Sequence, residues 1–207
     1  MYNRLSIFLA GSPDARNNRA SREEKRIVKK ILFIVGSLRK HSFNRQLAEK
    51  AQELLEDKAA VEFLDFSRVP LFNQDLEKSE AETLGKVKNQ IRENDGIVIF
   101  SPEYNGSVTG VLKNLLDWVS RSEIPGDFKS NVMYGRKVLV TGVGGKNACR
   151  GSIAEVERNL RYIGSVVPVK GEGFVLPNSA WMTDIYSLST EDAKKLNSEL
   201  SAFLASL

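Results

Sequence analysis

The chain has 207 residues, enough for one large domain, and its single cysteine excludes an intrachain disulfide. With one histidine and one cysteine, it also lacks the usual ligand set of a zinc site. The formal net charge of +4 arises in residues 1–30, which hold eight Lys or Arg and three Asp or Glu, so the rest of the chain is nearly neutral and a nucleic-acid surface is not indicated.

The amino-terminal segment differs from the rest. Residues 1–28 are predicted to form a disordered extension, because their composition is polar and charged. Residues 5–10 faintly resemble a signal peptide, but this apolar run is shorter than a normal hydrophobic region. A further hypothesis places the physiological start at Val28, read from a non-ATG codon. Residues 29–207 are expected to form the folded domain, and no later apolar run is long enough to imply a membrane partner.

From residue 31 onwards the chain alternates strands and helices. Residues 31–35 are a continuous apolar run, typical of a strand covered on both faces. A helix is predicted over Phe43–Leu55 from the spacing of its apolar side chains, with Ser42 as its N-cap. Residues 61–65 are predicted to be the second strand, and a polar helix is expected over roughly residues 80–93.

The next strand and helix carry a strong turn signal between them. Residues 96–101 are predicted to be the third strand, and Pro102–Gly106 has the composition of a tight turn. Residues 108–119 then show helical spacing of apolar side chains. Residues 137–142 are predicted to be the fourth strand, followed by a glycine-rich loop.

The carboxyl-terminal part completes the pattern. A helix is predicted from about residue 151 to 163, a short fifth strand at Val166-Val167, and a last helix that begins near Ser189 with Asp192 as a capping-box partner. Five βα units predict one doubly wound parallel sheet with helices on both faces. In such folds ligands bind at the carboxyl ends of the strands, here the loops after strands one, three and four.

The loop after the first strand, Gly36–Asn44, is suited to hold a phosphate. A helix N-terminus offers free N–H groups and a partial positive charge, Gly36 permits a sharp turn, and Arg39 adds a charge-assisted fork. The chain has no G-x-x-x-x-G-K-[ST] or G-x-G-x-x-G sequence after this strand, which favours a mononucleotide over a nucleoside triphosphate or a dinucleotide. A polar turn with a capping serine is the alternative interpretation.

Two further segments carry a resemblance to a known family. Residues 102–107 read P-E-Y-N-G-S, and residues 112–118 read L-K-N-L-L-D-W. Together with G-S-L-R-K-H-S-F-N at residues 36–44, they resemble the signatures of the NADPH-dependent FMN reductase family over about residues 31–170. The resemblance implies a flavodoxin-like fold with sheet order 2-1-3-4-5. It also implies an oxidoreductase that binds FMN and uses NADPH or NADH as co-substrate.

The resemblance assigns the cofactor contacts to individual residues. The FMN phosphate would be held by Ser37, Arg39, Ser42 and Asn44. The isoalloxazine would be lined by Pro102, Glu103, Tyr104, Asn105, Gly106 and Ser107. Backbone N–H groups in the Asn105-Gly106 turn would then face the N1, O2 and N5 edge, where donors stabilise charge on the reduced ring. Residues 141–147 are expected near the dimethylbenzene edge. No catalytic side chain and no metal are expected, because FMN carries the chemistry.

The family also implies a reaction scheme and partners. A hydride would pass from NAD(P)H to FMN and then to a quinone, azo, flavin or metal acceptor in a ping-pong sequence, in a cytoplasmic homodimer or homotetramer. Two other classes remain open. A flavodoxin-type electron carrier without NAD(P)H turnover is disfavoured by Arg39 and by the nearly neutral body. A nucleotide-binding regulatory module without redox chemistry is disfavoured by residues 102–107.

Overall fold

A computed structural model describes residues 28–207. The predicted disordered extension, residues 1–28, therefore lies almost wholly outside the described part of the chain. The hypothesis of a start at Val28 concerns the same residues and also lies outside it. No helix within residues 28–207 is long and apolar enough to cross a membrane.

The described residues form seven strands and six α-helices. The strands are β1 (Lys29–Val35), β2 (Ala59–Phe63), β3 (Gly96–Phe100), β4 (Glu103–Tyr104), β5 (Ser107–Val108), β6 (Val138–Gly144) and β7 (Gly173–Val175). The helices are α1 (Phe43–Leu55), α2 (Ala81–Glu93), α3 (Gly110–Val119), α4 (Arg150–Tyr162), α5 (Asn178–Thr183) and α6 (Thr190–Ser206). Apart from the fifth strand, the predicted elements are present, with ends shifted by one or two residues.

Five of these strands form one parallel sheet in the order β2-β1-β3-β6-β7. In order along the chain this is 2-1-3-4-5, so the predicted topology is confirmed. Alternate side chains of β1 enter two different cores: Phe33 packs on the side of α1 and α6, and Leu32 and Ile34 pack on the side of α2, α3 and α4. Burial on both faces explains the continuous apolar runs in β1 and β3.

The position predicted for the fifth strand, Val166-Val167, was wrong. Val166 makes only an isolated parallel bridge with Lys137, and the fifth strand of the sheet is β7, which pairs Gly142 with Gly173. Between these two pairs the edge has two more residues than β6, so the strand cannot remain in register. Pro168, which has no N–H to donate to a ladder, lies in this interval.

Two small elements were not predicted. Asn105 (φ 54°) and Gly106 (φ 78°) are both left-handed and close a β4–β5 hairpin, as an Asn-Gly type I′ turn does. Helix α5, six residues long, follows Pro177. At the last helix the prediction is confirmed: Ser189 is the N-cap of α6 and its Oγ accepts the N–H of Asp192 at 3.1 Å.

Candidate functional site

The carboxyl ends of β1, β3 and β6 meet at a cavity of about 270 Å³, here named the three-loop cavity. Seven of the ten residues predicted to contact FMN line it: Ser37, Arg39, Ser42, Asn44, Pro102, Glu103 and Tyr104. The other lining residues are Phe43, Val143, Gly144, Gly145, Leu176, Trp181 and Asp184. Most of the predicted site is therefore brought together around one space.

The amino terminus of α1 offers donors to this space. Ser42 is the N-cap, yet its hydroxyl makes no capping hydrogen bond. The N–H groups of Phe43 and Asn44, in the first turn, have no acceptor among the described residues, as expected where no preceding turn exists. Free N–H groups, a free hydroxyl and the positive end of the helix dipole together fit a phosphate.

Gly36 allows the loop after β1 to lie close to the segment that follows β3. Its N–H donates to Phe100 O at 2.8 Å, and its carbonyl accepts the Thr109 hydroxyl at 2.7 Å. A Cβ at this position would lie 3.0 Å from atoms of both Leu112 and Pro102. The absence of a side chain thus allows the first loop to pack directly against the start of α3, whose N-cap is Thr109.

Asn44 has a structural role that the sequence did not reveal. Its side chain is buried; its Nδ2 donates to Val143 O at 2.8 Å, and its Oδ1 accepts the N–H of Val143 at 3.0 Å. The amide therefore mimics a neighbouring strand and joins α1 to the end of β6. Asn44 lines the three-loop cavity, but its carbonyl oxygen and one amide hydrogen are engaged by this contact.

Arg39 is held at the edge of the cavity by two contacts. Its Nη1 lies 2.6 Å from Asp184 Oδ1, and its guanidinium carbon lies 4.9 Å from the centroid of the Phe43 ring. Its other guanidinium N–H groups have no acceptor within residues 28–207. Both partners of the ion pair are about half exposed, so the pair itself contributes little stability, but the guanidinium is oriented with donors to spare.

Both carboxylate oxygens of Glu103 are hydrogen-bonded to the protein, so the side chain stabilises the site instead of offering it a free carboxylate. Its Oε1 accepts from Asn147 Nδ2 at 2.7 Å and its Oε2 accepts the N–H of Ser152 at 3.0 Å. Burial opposes its ionisation, but hydrogen bonds from Asn147, Ser152 and Gly151 outweigh this and hold the pKa of Glu103 below its ordinary value. The carboxylate thus ties the β4–β5 hairpin to the amino terminus of α4, where a negative charge is favoured.

Three predicted contacts lie on the hairpin outside the lining of the three-loop cavity. Asn105 and Gly106 are exposed at its tip. Ser107 donates its hydroxyl to Glu155 Oε2 at 2.5 Å, and the N–H of Val108 reaches the same oxygen at 3.0 Å. The structure therefore shows Ser107 anchoring the hairpin to α4. Tyr104 does line the cavity and is 55% exposed.

The third loop, which is the segment 144–149 after β6, is the most strained part of the site. Ala148 (φ 51°) and Cys149 (φ 54°) are consecutive left-handed residues without glycine, an arrangement that costs free energy at each position. The turn is closed by the N–H of Ala148, which donates to Gly145 O at 2.8 Å, and Gly144 and Gly145 line the cavity. Burial, with the negative charge of Glu103, raises the pKa of the Cys149 thiol to about 12, so this lone cysteine is an inert apolar residue.

Sequence reasoning missed the wall formed by Leu176, Trp181 and Asp184. The Trp181 ring packs edge-on against Phe43, with centroids 5.5 Å apart. Gln46 of α1 donates to Asp184 O at 3.0 Å and accepts the N–H of Tyr186 at 2.7 Å, which holds the end of α5 beside the first loop. A six-residue helix has too few turns for a periodic signal, and only Pro177 marked its start.

The strand order and the cavity at the carboxyl ends of the strands define a flavodoxin-like α/β protein, with the free N–H groups of a helix terminus facing the cavity. Residues 29–180 match the sequence model of the family described as NADPH-dependent FMN reductase. The chain belongs to this family, whose cofactor is FMN with NAD(P)H as electron donor.

Individual relatives point the same way. The chain is 46% identical over 92 residues to a 2-hydroxy-1,4-benzoquinone reductase of a Burkholderia species, and 39% identical over 94 residues to a quinone reductase of Escherichia coli K12. Each match covers 44% of this chain and 50% of the relative, so the matched region spans about half the length of these relatives.

Solved structures share the fold over more of the chain. The flavoenzyme NAD(P)H:acceptor oxidoreductase FerB of Paracoccus denitrificans superposes with a TM-score of 0.74 at 28% identity, covering 86% of this chain and 96% of that one. An NADH:FMN oxidoreductase in its apo form superposes with a TM-score of 0.64 at 22% identity, covering 87% and 90%, which supports the fold alone.

Proposed function

We propose that this protein is an FMN-dependent oxidoreductase that takes electrons from NAD(P)H and reduces a small quinone-type acceptor. The observation that carries the proposal is the three-loop cavity, which joins the free N–H donors at the amino terminus of α1 to the β4–β5 hairpin and to the loop after β6. The names of the relatives, which are quinone reductases and an NAD(P)H-dependent FMN reductase, support this choice of acceptor and donor.

The residues present fit FMN at both ends. The first-turn N–H groups of α1, the hydroxyl of Ser42 and the free donors of Arg39 would hold the phosphate. Pro102 and Tyr104 on one side, and residues 144–145 on the other, would enclose the ring. Gly145 has no atom within 4 Å of its Cβ position, which leaves room for a flat ligand against the backbone.

When bound, FMN supplies hydride chemistry, accepting a hydride from NAD(P)H and giving electrons to the acceptor in two half-reactions at one site. The chain's own residues hold and enclose the ring. Glu103 and Asn147 fix the hairpin against the third loop, so the two walls keep a constant spacing. The exposed side of Tyr104 leaves access for donor and acceptor in turn, as a ping-pong sequence requires.

Reconstitution with FMN tests the cofactor, and transient kinetics test the reaction. We expect purified protein to take up one FMN per chain, and NAD(P)H to reduce that flavin under anaerobic conditions before any acceptor is added. A quinone should then reoxidise it after the nicotinamide product is removed. A colourless protein that gains no FMN would refute the proposal. FMN uptake without reduction by either nucleotide would favour the flavodoxin-type electron carrier.

Arg39 provides a specific test of the phosphate site. Arg39→Gln should weaken FMN binding by about 10- to 100-fold, because charge-assisted hydrogen bonds to a phosphate are lost. Riboflavin, which has no phosphate, should bind both proteins equally. Fluorescence titrations measure both affinities. Arg161→Gln, which removes an exposed arginine of α4 paired with Glu157, is the matched control. Equal losses for FMN and riboflavin would contradict the assignment.

Assembly and location are also proposed. We expect a homodimer or homotetramer, and the strongly exposed Trp181, Met182 and Ile185 next to the site are an apolar surface of the kind that subunits cover. Light scattering on the full chain would test it, and a monomer at working concentration would contradict it. The buried, unpaired Cys149 is consistent with a cytoplasmic location, which fractionation of native cells would test.

A further inference from the structure

A second cavity lies on the other side of the first loop, between the carboxyl ends of β1 and β2. This β1–β2 cavity has a volume of about 400 Å³ and is lined in part by Lys40, Arg45 and Asp65. Ser37 and Arg39 line both this cavity and the three-loop cavity. The two spaces are therefore neighbours across a single loop, and the proposed FMN site uses only one of them.

Arg45 gives the β1–β2 cavity a flat cationic surface. Its guanidinium carbon lies 3.8 Å from the centroid of the Phe63 ring, and its Nε donates to Glu49 Oε1 at 2.9 Å. The ring fixes the plane of the guanidinium, and the carboxylate fixes one edge. Its terminal nitrogens make no hydrogen bond within residues 28–207. A guanidinium held in this way is a platform on which a nucleobase can stack.

Asp65 and Lys40 supply the polar groups of the same cavity. Asp65 lies two residues after β2, and its Oδ1 accepts the N–H of Ser67 at 3.0 Å. Hydrogen bonds from Ser67, aided by Arg68, hold the pKa of Asp65 below its ordinary value, so it is ionised at neutral pH. In dinucleotide-binding folds an acidic side chain that follows the phosphate loop accepts a ribose hydroxyl, and an ionised Asp65 can accept in the same way. Lys40 is an exposed cation on the opposite side of the loop from the three-loop cavity.

We propose that the β1–β2 cavity binds the adenosine diphosphate half of the nicotinamide dinucleotide donor. The adenine stacks on Arg45, the ribose hydroxyls donate to Asp65, and the pyrophosphate lies beside Lys40. The shared wall at Ser37 and Arg39 lets one extended molecule lie across the loop, with its nicotinamide at the three-loop cavity. This inference rests on the proposed function, because it assigns a subsite to the same donor.

Steady-state kinetics of the FMN-loaded protein test the assignment. Arg45→Ala should raise KM for both NADPH and NADH about tenfold, from the loss of one stacking surface. Arg45→Lys keeps the positive charge but lacks the planar guanidinium, so its KM should remain close to that of Arg45→Ala. Asp65→Asn, which can still accept from Ser67, should raise KM about fivefold through the lost charge-assisted bonds. Lys50→Gln is the matched control: Lys50 is also on α1, is paired with Glu53 at 2.9 Å, and lies outside both cavities.

A truncated donor separates this subsite from a general defect. Reduced nicotinamide mononucleotide lacks the adenosine half, so its KM should not follow the changes seen with NADPH. Equal increases for both donors, or an unchanged KM for NADPH in Arg45→Ala, would overturn the inference.

Direct binding tests the cavity without turnover. ADP-ribose, titrated calorimetrically into FMN-loaded wild-type protein, should bind, and Arg45→Ala should weaken that binding about tenfold. No detectable binding to the wild type would overturn the inference. If FMN binds but no nicotinamide donor is oxidised, the proposed function fails separately, and the ADP-ribose titration still decides whether this cavity recognises adenosine diphosphate.

Discussion

Replacing Asn44 with alanine should lower the free energy of unfolding by about 2 to 4 kcal/mol, because the N–H and carbonyl of Val143 lose their partners in a buried environment. Asn44 is 2% exposed and Val143 is 1% exposed, so water cannot replace the amide without entering the core. Urea denaturation of the ligand-free protein measures the effect, since bound FMN would raise the apparent stability of both proteins.

Asn44→Asp distinguishes hydrogen bonding from packing at this site. The aspartate has nearly the same shape and can accept from Val143 N–H, but its second oxygen faces the Val143 carbonyl where Nδ2 donates in the native protein. It should therefore also destabilise the fold. Asn197→Ala is the matched control, because Asn197 lies on α6 and its side chain accepts only from the surface residue Lys58. A change of less than about 1 kcal/mol in Asn44→Ala would contradict the role of this amide.

The sheet was predictable because its inner strands are buried on both faces. β1 and β3 contain uninterrupted apolar runs, and the connections between strands carry helical spacing, so the strands and their parallel orientation followed. The strand order came from the family resemblance. The edge strand did not follow. Val166-Val167 has strand composition, but strand pairing depends on register with β6, and the residues after Pro168 resume pairing only at Gly173.

The sequence predicted which residues meet at the site better than it predicted what each of them does there. The motifs placed Ser37, Arg39, Ser42 and the hairpin at one edge of the sheet, and the structure brings most of them around one cavity. A motif does not state which partner a polar side chain takes. Asn44 pairs with a residue 99 positions away, and Glu103 and Ser107 pair with α4 across more than 45 positions. Such long-range pairing arises only once the sheet has closed.

The α5 wall shapes this site at the end of the family match. The family match ends at residue 180, and Trp181 and Asp184 follow it directly. Both contact the first loop, Trp181 through Phe43 and Asp184 through Arg39. The orientation of the proposed phosphate ligand Arg39 therefore depends on residues that the matched region does not include. Relatives that share the motifs but not this segment are expected to hold that arginine differently.

Glu199→Gln should remove a large pH dependence of stability. Glu199 lies on the buried side of α6; its Oε2 accepts the N–H of Glu172 at 2.7 Å, and its Oε1 has no partner among the described residues. Burial, only partly offset by hydrogen bonds from Glu172 and Thr141, raises the pKa of this carboxyl from its ordinary 4.5 to about 8. Between these values the folded protein keeps a proton that the unfolded chain has lost.

The sign follows from that proton. The contribution of Glu199 to stability is complete below pH 4.5 and is lost as the pH rises towards 8. One proton corresponds to about 1.4 kcal/mol per pH unit, so wild-type protein should lose about 3 kcal/mol relative to Glu199→Gln between pH 5 and pH 7. Urea denaturation of both proteins at pH 5, 6 and 7 measures this difference, in which other titrating groups cancel.

Glu191→Gln provides the control on the same helix. Glu191 is exposed, and its hydrogen bond and charge interaction with Lys195 lower its pKa, so it is ionised in both folded and unfolded chains above pH 5. Its replacement should shift stability by the same small amount at all three pH values. If the free energy of unfolding of Glu199→Gln changed with pH just as that of the wild type does, the Glu199 carboxyl would be ionised in the folded protein. The edge of the sheet beside Thr141 would then have to open to water to solvate that charge.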